Sequence, residues 1–307
     1  MKYTKPHLTY TEQADVLISR GMTGNRSEIV SRLQFVNYYR LSGYFYPFRK
    51  TDDNGNKTDM FIDGTNFDTV WERYRFDRKL KLLVLDAIER VEISLRAHLS
   101  YQLSEQYEAF GYLDSRNFAH TNNPQADVNS LYQKISDDIS RSKKFKEPFM
   151  IHYYTKYRGP HEYPPIWIAI EVMSFGTILS LFRSIKRSDQ AAIAKKHTVP
   201  LPVFFSWIQS LNKVRNISAH QGRLWNRVLA VKPKIPHGKN YEELDPLIPI
   251  PDGRIFVILT ILKYLMKTVA STSKWSDRLY SLLTEFPNIP LSQMGFPDNW
   301  ATDELWK

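Results

Sequence analysis

The chain has 307 residues, 42% of them hydrophobic and none cysteine, which is enough to bury a sizeable core and excludes disulfides and thiolate metal sites. A net charge of +10 and a pI of about 9.5 favour a polyanionic partner, with nucleic acid ahead of an anionic membrane surface. The histidines show no His-Glu-x-x-His spacing, no run reaches the ~20 apolar residues of a membrane span, and the first residues lack an apolar signal core. No metal, no cofactor and no membrane contact are therefore expected, and the expected setting is the cytoplasm.

In chain order, residues 1–58 read as a small helical head. Thr9 or Thr11 caps a first helix that buries Ala14, Val16, Leu17 and Ile18 and stops at Gly21. A second helix begins near Ser27 and continues through Leu33 and Val36 to Tyr39 and Arg40. The tyrosine-dense stretch 38–46 reads in two ways: stacking on unpaired bases with Arg40 on a phosphate, or aromatic packing. Packing is the commoner use of such residues. Asn54-Gly55 is suited to closing a hairpin.

From Phe67 to about Tyr107 the apolar positions keep helical spacing with no proline or glycine, which predicts a helix of up to roughly 60 Å with a slip near Phe76-Asp77. Arg73, Arg75, Arg78, Lys79 and Lys81 cluster on its first half, as a backbone-tracking patch or as a solvated face. Glu89, Arg90, Glu92 and Arg96 suit intrahelical ion pairs. Residues 108–130 read as loop. Their Arg116-Asn117-Phe118-Ala119-His120 echoes an Arg-x4-His spacing but is one residue short and is not taken as a site. A polar helix follows over 127–141. Pro164-Pro165 opens another, whose apolar set runs from Ile166 to Phe182 with Glu171 among it. A short helix over 189–198, a proline-rich basic connector at 232–239, amphipathic helices over 254–269 and 275–286, and a tail with packing Trp300 and Trp306 complete the chain.

The chemistry gathers in residues 207–227, WIQSLNKVRNISAHQGRLWNR. At helical spacing Asn212, Arg215/Asn216, Ala219/His220, Arg223 and Asn226/Arg227 trace one polar stripe, opposite Phe204, Ile208, Leu211 and Val214. Arginine offers phosphate a permanent fork and histidine carries a proton near neutral pH. A solvated basic face is the plainer reading of such a stripe.

Arg215-x4-His220, with Asn216 after the arginine, resembles the active motif of HEPN ribonucleases. The fuller string, with Trp207, Leu211-Asn212, Val214, Ala219 and Arg223-Leu224-Trp225-Asn226, resembles the abortive-infection D/F (Abi-like) branch, which in turn is similar to the HEPN domains of type VI CRISPR effectors. Further matching segments occur in order: residues 37–44, Phe76-Asp77-Arg78, residues 88–92, residues 165–176 and Met294-Gly295-Phe296-Pro297. The resemblance implies an all-α fold, a HEPN-type helical bundle over 59–275 between the head and a helical cap over 276–307. It implies a metal-independent endoribonuclease of anti-phage defence that works as a homodimer, because the chain has a single motif and such nucleases pair two. His220 is then the acid or base, Arg215 the transition-state cation and Asn216 its orienting neighbour. Glu171 as the partner of Arg215, and Asn212, support them. Arg40, Arg73, Arg75, Arg78, Lys79, Arg223 and Arg227 are the candidate RNA contacts. The alternative is a non-catalytic HEPN protein that holds a structured small RNA with the same residues.

Overall fold

The computed structural model describes residues 2, 4, 6–119, 124–157, 161–247 and 253–307. His120 of the Arg-x4-His echo lies outside them, as do residues 121–123 and 158–160. The fold is all-α: among the described residues the strands are confined to one two-stranded hairpin. The chain forms two compact units. One comprises Met1–Leu82, Arg223–Trp225 and Asp277–Pro290, the other Leu83–Gly222, Asn226–Ser276 and Leu291–Lys307.

In the first unit, α1 (Tyr10–Ser19) starts on a capping box in which Thr9 accepts from Glu12 N–H and the Glu12 carboxylate accepts from Thr9 N–H. Gly21 then takes φ +94°, as its place after the helix requires. α2 (Arg26–Phe35) is capped by Asn25. It does not continue to Arg40. Val36 turns extended, and the Asn37 side chain accepts from Tyr39 N–H at 2.7 Å to start α3 (Tyr38–Phe45). A strong capping residue thus splits what apolar spacing alone reads as one helix. β1 (Arg49–Thr51) and β2 (Lys57–Phe61) pair antiparallel around Asn54-Gly55, where Asp52 accepts from the N–H groups of Asn54 and Asn56. The long helix α4 (Phe67–Tyr107) has 41 residues and runs through Phe76-Asp77 without a break; its residues up to Leu82 belong to this unit.

Asp77 is fully buried. Its Oδ1 accepts from the N–H groups of Leu224 at 3.0 Å and Trp225 at 2.6 Å. Its Oδ2 accepts from the Tyr44 hydroxyl at 2.5 Å and lies 3.3 Å from Lys81 Nζ. A carboxylate this deep is tolerated because all of its acceptor capacity is used. Burial, and then the Asp77 charge, raise the Tyr44 phenol far above its ordinary value, so it stays a neutral donor.

In the second unit, the rest of α4 runs with α5 (Pro124–Phe145), α6 (Pro148–Lys156), α7 (Ile166–Val172), α8 (Phe175–Ser184), α9 (Arg187–Lys196), α10 (Leu201–Ala219) and α11 (Ile255–Val269). α12 (Trp275–Glu285) has its first two residues here. The helix expected from Ile166 to Phe182 is two helices. Met173 is extended, Ser174 caps α8 by accepting from Thr177 N–H, and Asp138 accepts from Ser174 N–H at 2.9 Å. Carbonyls at the end of α7 are served by Arg96, which donates to Met173 and adds a second bond to Ile170, and which pairs with Glu92. α11 is buried all round from Ile255 to Leu262 and forms the middle of the core. The proline-rich connector docks on α10: Trp207 Nε1 donates to the Lys234 carbonyl at 2.7 Å and Lys234 N–H to Ser206 Oγ at 2.9 Å. Trp306 packs on Phe256 and donates to Thr260.

His197 is almost fully buried, stacked on Phe204 at 4.4 Å. Its Nδ1 lies 3.1 Å from the Ile193 carbonyl, which can only accept, so Nδ1 carries the proton and Nε2 accepts from Ser94 Oγ at 3.2 Å. Burial holds this imidazole down at about 4, with His98 adding to the effect.

Two stability measurements follow from these groups. Asp77→Ala is expected to cost about 3–5 kcal/mol in denaturant unfolding, because it strands Lys81 in the interior; Asp77→Ala with Lys81→Met should cost less than the single change. For His197 the folded value lies below the unfolded one, so the unfolded chain binds the extra proton. Its contribution is complete above pH ~6.5 and falls away as pH drops towards 4, by about 3 kcal/mol in all. A His197→Leu protein should show a flatter stability profile across that window, whatever its absolute stability.

Candidate active site

α10 begins at Leu201 after Pro200, with Pro202 in its first turn, where a missing N–H costs nothing. Val203, Phe204, Trp207, Ile208, Leu211 and Val214 are buried along one side. The helix stops one residue before His220. His220 N–H bonds the Asn216 carbonyl at 3.0 Å, Gln221 N–H the Ser218 carbonyl at 3.1 Å, and Gly222 N–H the Ile217 carbonyl at 2.7 Å. This is a Schellman ending, with Gln221 at φ +60° in the left-handed position usually given to glycine. The polar stripe therefore ends at His220. Arg223, Asn226 and Arg227 lie past the helix and do not continue its face.

Arg215 is half-buried on the last turn, and Asn216 and His220 are exposed. Among the described residues none of the three side chains has a hydrogen-bond or ion-pair partner. Asn212, one turn earlier, is half-buried, and its Oδ1 is shut from solvent without a partner. Glu171 does not act as the partner of Arg215. It is exposed on α7, and no ion pair joins the two among the described residues. The cation that serves the end of α7 is Arg96. Arg227 is exposed but near the helix end: a Cβ added at Gly222 would lie 3.7 Å from Arg227 Nη1. Asn226 is held by Arg254 and Gln293.

The candidate RNA contacts of the first unit divide sharply. Arg73 is 6% exposed, pairs with Glu72 at 3.2 Å and sits 5.9 Å over the Trp225 ring. Burial lowers its affinity for its proton, and it offers no guanidinium to a strand. Lys79 pairs with Glu285 at 2.5 Å, and Arg223 donates to the Gly43 carbonyl. Arg75 and Arg78 are exposed. They line a groove of about 900 Å³ with Trp71, Tyr74 and Arg32, whose guanidinium lies 4.6 Å over Trp71. Arg32 and Trp71 went unread in the sequence because they lie on different elements. Arg40 is exposed on α3. Of the tyrosine-dense stretch, Tyr44 and Phe45 pack inside, whereas Tyr39 is 84% exposed.

Along α10, Gln209, Lys213, Asn216 and His220 recur at i, i+4, i+7 and i+11 and so share a side of the helix. Gln209 and Lys213, with Asn212, line a cleft of about 550 Å³ formed with α5 and α8. The helical spacing of 209 and 213 was the signal that could have added them to the stripe. Among the described residues no group of three or more His, Asp or Glu side chains is placed to hold a metal ion. The arrangement places a guanidinium, an amide and an imidazole on the last turn of α10 and its cap.

The family model described as Abi-like protein matches residues 31–226, well over half of the chain. No curated protein and no solved structure matches.

The helix ending carries its own test. Gln221→Gly removes the cost of a side chain in the left-handed region and is expected to raise stability by about 1 kcal/mol. Gly222→Ala should lower it, because its Cβ would stand 3.0 Å from Ile217 Cγ2 and 3.1 Å from the Ile217 carbonyl. Thermal unfolding of both variants against the unchanged protein gives the two signs.

Proposed function

The chain belongs to the Abi-like family, and from that premise we propose that it serves abortive-infection defence as a metal-independent HEPN endoribonuclease whose reacting groups stand at the end of α10. The observation that carries this reading is a contrast. Arg73, Lys79, Arg96 and Arg223 are each committed to a carboxylate or a carbonyl. Among the described residues Arg215, Asn216 and His220 have no such partner; they sit on the last turn of α10 and its cap, with Asn216 and His220 exposed.

Cleavage by the neighbouring 2′-hydroxyl requires three things: a base for that hydroxyl, charge stabilisation at phosphorus and an acid for the departing 5′-oxygen. His220 serves as base or acid. Arg215 spans two phosphate oxygens as negative charge builds, which a lysine point charge does not reproduce. Asn216 orients the phosphate or the arginine. The products carry a 2′,3′-cyclic phosphate and a 5′-hydroxyl. One imidazole cannot be base and acid in the same step, so the reading includes a homodimer that brings a second His220 to the scissile bond. Arg75 and Arg78, in the groove with Trp71, supply sequence-independent hold on the strand. That groove also supports the second reading, a protein that grips a structured small RNA without cutting it.

The deciding experiment incubates purified protein with RNA and follows fragments. Wild type is expected to cut. His220→Ala and Arg215→Lys should each lose about 100-fold or more, with melting temperatures within the range of ordinary surface substitutions. A folded His220→Ala protein that cuts at the wild-type rate would sink the assignment. Light scattering that finds only monomers at micromolar concentration, with and without RNA, would remove the paired site.

A further inference from the structure

The cleft beside α10 is built differently from the groove around Trp71. Its lining contains no aromatic ring. Its volume of about 550 Å³ falls in the range of small-ligand sites. Part of its wall is already committed. Asp138 takes the Ser174 N–H, the Thr177 hydroxyl at 2.6 Å and Arg141 at 2.8 Å, so both of its oxygens are used beside the start of α8. Lys134 donates to Ser180 Oγ at 2.9 Å, and Asp137 accepts from Gln133 at 2.8 Å through one oxygen. Among the lining side chains, what remains uncommitted is one Asp137 oxygen on α5 and three side chains of α10. Gln209, Asn212 and Lys213 have no partner among the described residues. Two amides place donor and acceptor edges at one wall, and a lysine adds a point charge.

We propose that this cleft seats one unpaired nucleotide of the RNA strand that reaches the end of α10 and reads a base carrying an exocyclic amino group. The proposal rests on the ribonuclease reading above and adds the source of its sequence preference. Position supports it: Lys213 and His220 share a side of α10 and stand about 10 Å apart along the axis at 1.5 Å per residue. A short stretch of extended strand spans that distance. The chemistry of the wall supports it too. Without a ring to stack on, a base is held by its edge. The free Asp137 oxygen and the unmet Asn212 Oδ1 are both acceptors, and Asn212 reaches the cleft by turning its soft amide torsion. Adenine, cytosine and guanine bring an amino group to them, and uracil does not. Lys213 meets the phosphate.

Gly176 gives a clean way to test this. It lies in the first turn of α8 and lines the cleft. A Cβ there would meet only Ser174 Oγ, at 3.8 Å, so Gly176→Leu fills cleft space without crowding the core. The experiment sequences the fragment ends that wild type and Gly176→Leu release from a random single-stranded RNA pool. Wild type is expected to deplete uracil at one fixed position beside the cut, and Gly176→Leu to flatten that depletion at least threefold. No base preference in wild type, or the same preference in Gly176→Leu, overturns the proposal. If Gly176→Leu does not fold, Gln209→Leu on the α10 surface is read in the same way. If wild type does not cut at all, the ribonuclease reading fails separately and the cleft is judged by anisotropy with labelled homopolymers. Tighter binding of oligo(A) and oligo(C) than of oligo(U), equalised by Gly176→Leu, upholds it. Equal wild-type affinities overturn it.

Discussion

A carboxylate removed from water has to recover its lost hydration from the protein, and Asp77 recovers it from four directions. Its partners come from three separate stretches of chain: Tyr44 on α3, Lys81 on α4, and the backbone of Leu224 and Trp225. None of them is dispensable, because any donor withdrawn leaves a buried charge short. The requirement propagates through the first unit. With Trp225 fixed, its ring stacks near Tyr44 at 6.4 Å and receives the Arg73 guanidinium on its face. Arg223, next in sequence to Leu224, is close enough to bond the carbonyl of Gly43, the residue before Tyr44. The inward turn of Arg73 is thus a result of how Asp77 is satisfied.

The second unit solves a different problem, the loose ends of short helices. α7 would leave carbonyls open and α8 would leave N–H groups open. Arg96 takes the former, and Ser174 with Asp138 takes the latter. Among the described residues α10 is closed by backbone bonds, the N–H groups of Gly222 and Gln221 returning to the Ile217 and Ser218 carbonyls. Because that closure is internal to the backbone, the side chains of Asn216 and His220 are not spent on capping. They remain at the surface, which is the condition for either of the proposed roles.

Much of this was legible in the sequence where the cause is local. Thr9 with Glu12, the Asn54-Gly55 turn and the helical spacing over 67–107 and 254–269 each specify their element from neighbouring residues, although the slip expected near Phe76-Asp77 does not break α4 and the face expected to be exposed on α11 is buried from Ile255 to Leu262. The misses share a cause of another kind. The break at Met173-Ser174 is stabilised by Asp138 and Arg96, which are remote in sequence. The break at Asn37 was local but was outweighed by apolar spacing that ran on through Val36 and Tyr39. The end of α10 has no glycine in the left-handed position, so the usual stop sign is missing and the stripe reads too long. Within the candidate site, Arg215, Asn216 and His220 were visible through the motif. The postulated tie from Glu171 to Arg215 was not legible from either residue, because burial of a carboxylate between apolar neighbours in sequence does not imply burial in space.

The burial of Arg73 and Lys81 changes how the basicity of this chain should be counted. Formal charge treats every lysine and arginine as available to a polyanion. Here two of them are internal struts whose charge is spent on Glu72, Asp77 and an aromatic face. A charge-neutralisation scan across α4 will thus mix two kinds of defect. Loss at Arg78 removes an exposed cation, loss at Arg75 also takes a guanidinium from the face of Phe286, and loss at Arg73 or Lys81 loosens the scaffold. Protein yield and melting behaviour, read beside RNA affinity, separate a reader of RNA from a rivet.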